Sequence, residues 1–74
     1  MSRLNLGVIG AGAWGKNHVR TATALPDARL AAVCDADPRT RERLARQYPG
    51  ALITGDVGEC LAAVDAVIVA TPAR

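Results

Sequence analysis

Three regularly spaced glycines interrupt the chain directly after its first apolar run. The run covers Leu4 to Ile9, broken only by Asn5 and Gly7, and is typical of a buried parallel strand. Residues 16–25 contain neither glycine nor proline and predict a helix, which we place from about 13 to 25. The glycines therefore fall on a strand-to-helix turn, where G-x-G-x-x-G spacing has physical meaning.

Gly10, Gly12 and Gly15 each have a separate task in such a turn. The first permits the tight turn, the second lets a pyrophosphate approach the backbone, and the third lets the helix pack on the strand. The unpaired N–H groups and the dipole of the first helical turn favour a negative charge. The motif predicts a dinucleotide site, although the glycines alone would also suit a loop that merely changes direction.

An acidic residue follows the second apolar run. That run, Leu30 to Cys34, ends at Asp35, twenty residues past Gly15, where the dinucleotide fingerprint expects a carboxylate on the adenosine ribose hydroxyls. A turn or cap role is the alternative, but Asp37, followed by proline, supplies a better helix cap. A carboxylate also repels a 2′-phosphate, so NAD is favoured over NADP, which Arg39 keeps open.

Strand and helix signals alternate along the rest of the chain, which is typical of an α/β structure with a parallel sheet. Right-handed crossovers place the strands in the order 3-2-1-4, the first half of a Rossmann-type doubly wound sheet in three layers with helices on both faces. The remaining predicted elements are a helix from the Asp37 cap to about Tyr48, a strand over Ala51–Thr54, a short helix from Asp56 to about Ala62, and a strand over Asp65–Ala70.

Both helices carry local signals. Leu44, Ala45 and Tyr48 are three and four residues apart, as in the buried stripe of a helix. Asp56 and Glu59 resemble a capping box at the start of the short helix.

The fourth strand raises a question of coverage. Its apolar residues predict burial on both faces, yet it is the edge of the predicted sheet, and an exposed apolar edge recruits another strand or aggregates. We therefore expect residues 1–74 to form the N-terminal half of a dinucleotide-binding domain in a larger enzyme. A half-fold that dimerises through this edge is the alternative.

Composition narrows the partners of this chain. It has 74 residues and a net charge of +2, with its arginines densest on one predicted helix beside Glu42. This pattern is typical of a solvated helix face, and we expect no nucleic-acid partner. No signal peptide precedes the first strand and no apolar run approaches the roughly 20 residues that span a bilayer, so we expect a cytoplasmic protein with no membrane contact.

The two cysteines indicate neither a metal site nor a disulfide. Cys34 and Cys60 lie in apolar surroundings, without C-x-x-C or histidine spacing. We interpret them as buried reduced thiols, with a disulfide or metal pair as the alternative.

Three stretches together resemble the N-terminal region of the glucose–fructose oxidoreductase/inositol dehydrogenase (Gfo/Idh/MocA) family: Gly7–His18, Val33–Asp37 and Val64–Pro72. The resemblance covers nearly the whole chain, and the Trp-Gly-x-Asn-His continuation is similar to the nucleotide-sugar branch. It implies an NAD(P)-dependent oxidoreductase acting on a sugar, nucleotide sugar or polyol, and we expect a homo-oligomer.

The resemblance also implies a set of cofactor contacts. Ala13 and Trp14 would contact the pyrophosphate and Asp35 the adenosine ribose. The nicotinamide half would meet Ala70, Thr71 and Pro72, which predicted topology brings to the crevice that holds the glycine turn. The family's catalytic Glu-Lys-Pro motif and later Asp/His residues are absent from this chain, so no catalytic residue is assigned. An S-adenosylmethionine-binding domain and a non-catalytic nucleotide-sensing or assembly module remain alternatives.

Overall fold

A computed structural model of the chain describes residues 4–10, 20, 23–24 and 26–69. Arg20, Thr23 and Ala24 are helical, within the stretch where the sequence predicts the first helix; the rest of that predicted helix lies outside the described residues. The regular elements that can be bounded are β1 (Leu4–Ile9), β2 (Ala28–Cys34), α1 (Pro38–Gln47), β3 (Leu52–Thr54), α2 (Val57–Ala62) and β4 (Ala66–Val69).

The four strands form one parallel sheet in the order β3-β2-β1-β4, which confirms the predicted topology. β2 begins at Ala28, two residues earlier than the sequence predicts. Ala28 and Arg29 follow a turn, but they pair with the first two residues of β1. The Leu4 N–H also donates to the Asp27 carbonyl oxygen over 2.9 Å, so the ladder extends back to the turn.

A register shift interrupts the pairing of β1 with β2. Leu6 pairs with Leu30, whereas the next residue, Gly7, pairs with Ala32, so β2 holds one extra residue at Ala31. Side chains alternate along a strand, and the extra residue changes the phase. Leu30 and Val33 therefore contact the same hydrophobic cluster although three positions separate them.

Helices cover both faces of the sheet, as predicted. On one face α1 packs through Leu44 onto a cluster that contains Leu6, Val8, Ala28 and Val33, with Leu30, Tyr48, Ile53 and Ile68 around it. On the other face α2 packs through Cys60 onto Ala32 and Cys34, with Ile9 and Val64 beside them. Both clusters consist of small or aliphatic side chains, apart from Tyr48.

The start of α1 matches its sequence signals. The Asp37 side chain accepts hydrogen bonds from the Arg39 N–H at 3.0 Å and from the Thr40 hydroxyl at 3.2 Å, and Pro38 follows it as the first helical residue. The predicted buried stripe is wrong at Ala45, which is exposed. Thr40 and Leu44 are buried instead, and with Tyr48 they share one helix face because they are four residues apart.

The start of α2 differs from a simple capping box. The Asp56 carboxylate accepts from the Gly58 and Glu59 N–H groups, as predicted. The Glu59 side chain, however, accepts from the Thr54 hydroxyl at 2.5 Å, and this hydroxyl accepts from the Asp56 N–H at 3.0 Å. A buried threonine at the end of β3 thus links the Glu59 side chain to the Asp56 main chain at the start of α2.

β4 corrects one prediction. Burial on both faces is wrong, because Ala66 is exposed, Val67 and Ile68 are half-buried, and Val69 is 62% exposed. The strand pairs with β1 and is the last of the four in the sheet. Its apolar sequence therefore marks an edge strand here.

Candidate functional site

A cleft of about 300 Å³ opens beyond the carboxyl ends of β1 and β2. Open α/β sheets bind ligands outside the carboxyl ends of their strands. Of its lining residues, the sequence predicted Gly10 and Asp35 as site residues. The complete lining is Ile9, Gly10, Cys34, Asp35, Ala36, Gly55 and Val57.

Gly10 makes the tight turn that the motif predicts at its first glycine. Its φ angle is 85°, in the left-handed region that favours glycine. Its N–H donates a hydrogen bond of 2.8 Å to the Cys34 carbonyl oxygen. The chain therefore leaves β1 along the end of β2, with no side chain at this point of the cleft wall.

Asp35 is held in place by its main chain. Its N–H donates to the Thr54 carbonyl oxygen at 3.0 Å, and its own carbonyl oxygen accepts from Arg41 Nη1 at 2.8 Å. The residue is half-buried at the cleft. These bonds anchor the end of β2 to the end of β3 on one side and to α1 on the other.

The Asp35 carboxylate also makes a turn contact. Its Oδ1 accepts a hydrogen bond of 2.9 Å from the Asp37 N–H. A turn role and a ribose role for Asp35 are the alternatives that the sequence predicts, and the structure shows the turn role. The bond fixes the carboxylate between the end of β2 and the cap of α1. A ribose contact stays a prediction.

Sequence reasoning missed Arg41 and Gly55. A Cβ atom built on Gly55 would lie 2.8 Å from Arg41 Nη1 and 3.3 Å from Cζ, so the guanidinium group fills the space of a side chain at position 55. Arg41 stands in a row of arginines, and nothing in its sequence position separates it from Arg39 and Arg43. Gly55 had a usable signal, because it directly follows β3 at the ligand-binding edge of the sheet.

Cys34, which lines the cleft, and Cys60 belong to one hydrophobic cluster and, as predicted, are buried and free. Burial raises the pKa of the Cys34 thiol above its ordinary value, and the nearby Asp35 and Asp56 raise it further while Arg41 lowers it. Burial also raises the pKa of the Cys60 thiol, with a smaller contribution from Cys34. Both groups are therefore neutral at physiological pH and poor nucleophiles.

Several predicted contacts lie outside the described residues: Gly12, Ala13, Trp14, Gly15, Ala70, Thr71 and Pro72. Their roles stay predictions. Within the described ranges, no three His, Cys, Asp or Glu side chains are grouped so that they could hold a metal ion. None of the helices in the same ranges is long and apolar enough to cross a membrane.

The residues at this cleft fit the adenosine half of a dinucleotide. Ile9 and Val57 offer apolar surface to a base, and Asp35 places carboxylate oxygens, which accept hydrogen bonds from hydroxyl groups, at the same cleft. Gly10, which has no side chain, leaves the backbone open to close approach. Apolar walls with a few placed polar groups are the usual composition of a cofactor site.

Comparison with known families decides between the nucleotide-binding alternatives. The profile of the Gfo/Idh/MocA oxidoreductase family, described as an NAD-binding Rossmann fold, matches residues 4–74. The chain belongs to this family. The predicted NAD-binding fold and the predicted resemblance are confirmed, and Gfo/Idh/MocA membership favours a dinucleotide over S-adenosylmethionine.

Individual relatives of the chain are dehydrogenases or bind NAD by name. The chain is 41% identical over 69 residues to an inositol 2-dehydrogenase of Rhizobium meliloti (strain 1021), covering 93% of this chain and 21% of that protein. It is 44% identical over 71 residues to inositol 2-dehydrogenase 2 of Saccharopolyspora erythraea, covering 92% and 21%. The crystal structure of GenD2 from gentamicin A biosynthesis, in complex with NAD, superposes with a TM-score of 0.85 at 39% identity, covering 100% and 22%. The chain thus spans about a fifth of the length of these relatives.

Proposed function

We propose that this chain holds the adenosine and pyrophosphate of NAD for an oxidoreductase that transfers hydride between the cofactor and a sugar, nucleotide sugar or polyol. The observation that carries the proposal is the cleft at the ends of β1 and β2, where Gly10 turns with φ 85° and Asp35 contributes the acidic side chain. Membership of an NAD-binding family supports the same cofactor.

Each part of the cofactor has proposed partners. Asp35 accepts hydrogen bonds from the adenosine ribose, and the bond from Asp37 orients its carboxylate for this task. Gly10, Gly12, Ala13, Trp14 and Gly15 surround the pyrophosphate, and Ala70, Thr71 and Pro72 lie at the nicotinamide half. NAD supplies the nicotinamide group that accepts the hydride, whereas the chain binds and orients the cofactor. No catalytic residue is proposed in this chain.

The substrate class rests on the relatives. The two curated relatives are inositol 2-dehydrogenases by name, and the chain spans 21% of each. We therefore propose that residues 1–74 are the first half of the dinucleotide domain of a larger dehydrogenase, whose remaining sequence supplies the catalytic groups. A cytoplasmic homo-oligomer remains part of this proposal. The exposed Val69 on the β4 edge supports an adjoining strand, from the same protein or from a second copy.

The test is a calorimetric titration of the protein, purified at its natural full length, with NADH, NADPH and S-adenosylmethionine. We expect NADH to bind most tightly. Asp35→Asn keeps an oxygen for the Asp37 N–H but removes the charge, and we expect it to weaken NADH at least tenfold, because hydrogen bonds to charged groups contribute about 1.5–3 kcal/mol. NADPH affinity should stay the same or rise, since the repulsion of its 2′-phosphate is gone.

Asp27→Asn is the matched control. Asp27 is an exposed aspartate in the turn before β2, at the end of that strand opposite the cleft. Its replacement should leave both affinities unchanged. Equal losses of NADH and NADPH in Asp35→Asn would contradict the ribose contact. Tighter binding of S-adenosylmethionine, or no binding of NADH by the wild type, would overturn the proposed cofactor. Reduction of NAD in the presence of cyclitols and sugars then identifies the substrate.

A further inference from the structure

One arginine of α1 differs from its neighbours. Arg41 is half-buried, whereas Arg39 and Arg43 are exposed. Burying part of an arginine loses hydration of the guanidinium group, so the burial needs compensating contacts. The structure supplies these at the wall of the cleft.

The Arg41 guanidinium group joins two loops that line the cleft. Nη1 donates a hydrogen bond of 2.8 Å to the carbonyl oxygen of Asp35, the first residue after β2. The same nitrogen lies 2.8 Å from the position of a Cβ atom on Gly55, the first residue after β3. Both loop residues line the cleft, and the guanidinium group lies against each of them.

The main chain of Asp35 decides where its carboxylate lies. The side chain is short, with two rotatable bonds, so a shift of the backbone moves the carboxylate oxygens by a similar distance. The bonds from the Asp35 N–H to Thr54 and from Arg41 to the Asp35 carbonyl oxygen fix both sides of this residue. Of the two, the Arg41 bond comes from a side chain and can be removed by substitution.

We propose that Arg41 is a positioning residue of the cofactor site, which orients Asp35 towards the adenosine ribose, and that position 55 is glycine so that the guanidinium group fits there. The inference rests on the proposed function, because it acts through the ribose contact of Asp35. It assigns Arg41 no contact with NAD. Its effect therefore falls on the discrimination between NAD and NADP as well as on affinity.

Replacing Arg41 tests the inference in the purified full-length protein. Arg41→Met keeps the aliphatic stem and removes the hydrogen bond, and we expect NADH affinity to fall about tenfold while NADPH affinity changes less. The ratio of the two dissociation constants should therefore move towards one. Arg41→Lys, which retains a charged donor, should recover part of the ratio. Arg43→Met, an exposed position on the same helix, is the matched control and should change neither affinity.

A double-mutant cycle separates positioning from general loosening of the fold. In the Asp35→Asn background the Arg41→Met substitution should cause little further loss of NADH affinity, because the contact that Arg41 serves is already gone. Gly55→Ala approaches the same bond from the other side, since its Cβ displaces the guanidinium group. Its effect should disappear in the Arg41→Met background. If Arg41→Met does not fold, Gly55→Ala and Arg41→Lys carry the test, because each should by itself move the ratio of the two dissociation constants towards one.

Three results would overturn the inference: an Arg41→Met protein that binds like Arg43→Met, equal proportional losses of NADH and NADPH, or a full Arg41→Met loss in the Asp35→Asn background. Failure of the proposed function looks different. In that case the wild type does not bind NADH, or Asp35→Asn does not alter the preference between cofactors, and the inference falls with it. If Asp35→Asn behaves as expected and Arg41→Met does not, the positioning role alone is wrong.

Discussion

The Gly10 N–H donates a hydrogen bond of 2.8 Å to the Cys34 carbonyl oxygen, while the Gly10 backbone has a φ angle of 85°. The bond continues the pairing of β1 with β2 one residue beyond the end of β1. It brings the first glycine of the motif beside Asp35, which follows Cys34. Gly10 and Asp35, which are twenty-five residues apart in the sequence, thus line the same cleft.

Gly10→Ala should destabilise the protein. A side chain in the left-handed region costs roughly 1–2 kcal/mol, because Cβ approaches the carbonyl oxygen too closely. Gly50→Ala is the matched control, since a Cβ at Gly50 would meet no atom within 4 Å. Among the described glycines, Gly10 has the positive φ angle, and we expect Gly50→Ala to be neutral or to stabilise by about 0.4–1 kcal/mol. Urea unfolding measures both, and equal free energies of unfolding for the two variants would contradict the strain.

Asp37→Ala should lower the free energy of unfolding by about 1 kcal/mol, within the usual range for the loss of an N-cap. The variant removes the acceptor for the Arg39 N–H and for the buried Thr40 hydroxyl. Glu42→Ala is the control on the same helix. Its ion pair with Arg46, 2.9 Å long, joins side chains that are 71% and 74% exposed, and such pairs contribute little. A loss in Glu42→Ala as large as in Asp37→Ala would argue against the cap.

Gly7→Ala should also be destabilising, for a different reason. Its Cβ would lie 3.2 Å from the Sγ atom of Cys60, which is part of α2. It would lie 3.0 Å from the Cγ1 atom of Val64, which follows that helix. Overpacking of this kind costs about 1–3 kcal/mol. Val64→Ala opens the space, so the double variant should lose less stability than the sum of the two single variants, as measured by urea unfolding. Strict additivity would show that Val64 is not the obstacle.

Stability should fall at alkaline pH because of the two thiols. Burial raises the pKa of Cys34 and of Cys60 above the ordinary value of 9.0. The native state then holds its thiol protons where the unfolded state has lost them, so the free energy of unfolding declines as pH rises. The contribution is complete below the unfolded pKa and is lost as pH rises through the raised folded pKa. Unfolding midpoints across this range should fall less steeply in Cys34→Ala/Cys60→Ala than in the wild type, and parallel curves would contradict the linkage.

The sequence predicted those features of the fold that depend on neighbouring residues or on general rules of chain connection. Asp37 caps α1, Asp56 caps α2, and the strand order follows from the handedness of the connections. The residues that sequence reasoning missed depend on distant partners. Ala28 joins β2 because β1 lies beside it, and the burial of Arg41 depends on the absence of a side chain at Gly55.

The candidate site was predicted in part for the same reason. Glycine spacing identifies Gly10, and a carboxylate at the end of a strand identifies Asp35. The contacts that hold Asp35 come from Thr54, Asp37 and Arg41. Of these, Thr54 and Arg41 lie in other elements, so only the fold brings them together. Ala45 shows that local spacing can also mislead. Its spacing suits the buried face of α1, but the helix buries Thr40 and Leu44 and leaves Ala45 exposed.

The extra residue at Ala31 has a consequence for the evolution of this segment. Before Ala31, pairing with Leu4–Leu6 decides which face of the sheet each β2 side chain occupies. After Ala31, pairing with Gly7–Ile9 decides this separately, up to the end of the strand before Asp35. An insertion or deletion near the turn at Pro26 could therefore be absorbed at the shift without rotating the acidic residue away from the cleft. Variation in loop length among natural homologues should accumulate there, while the distance from the shift to Asp35 stays constant.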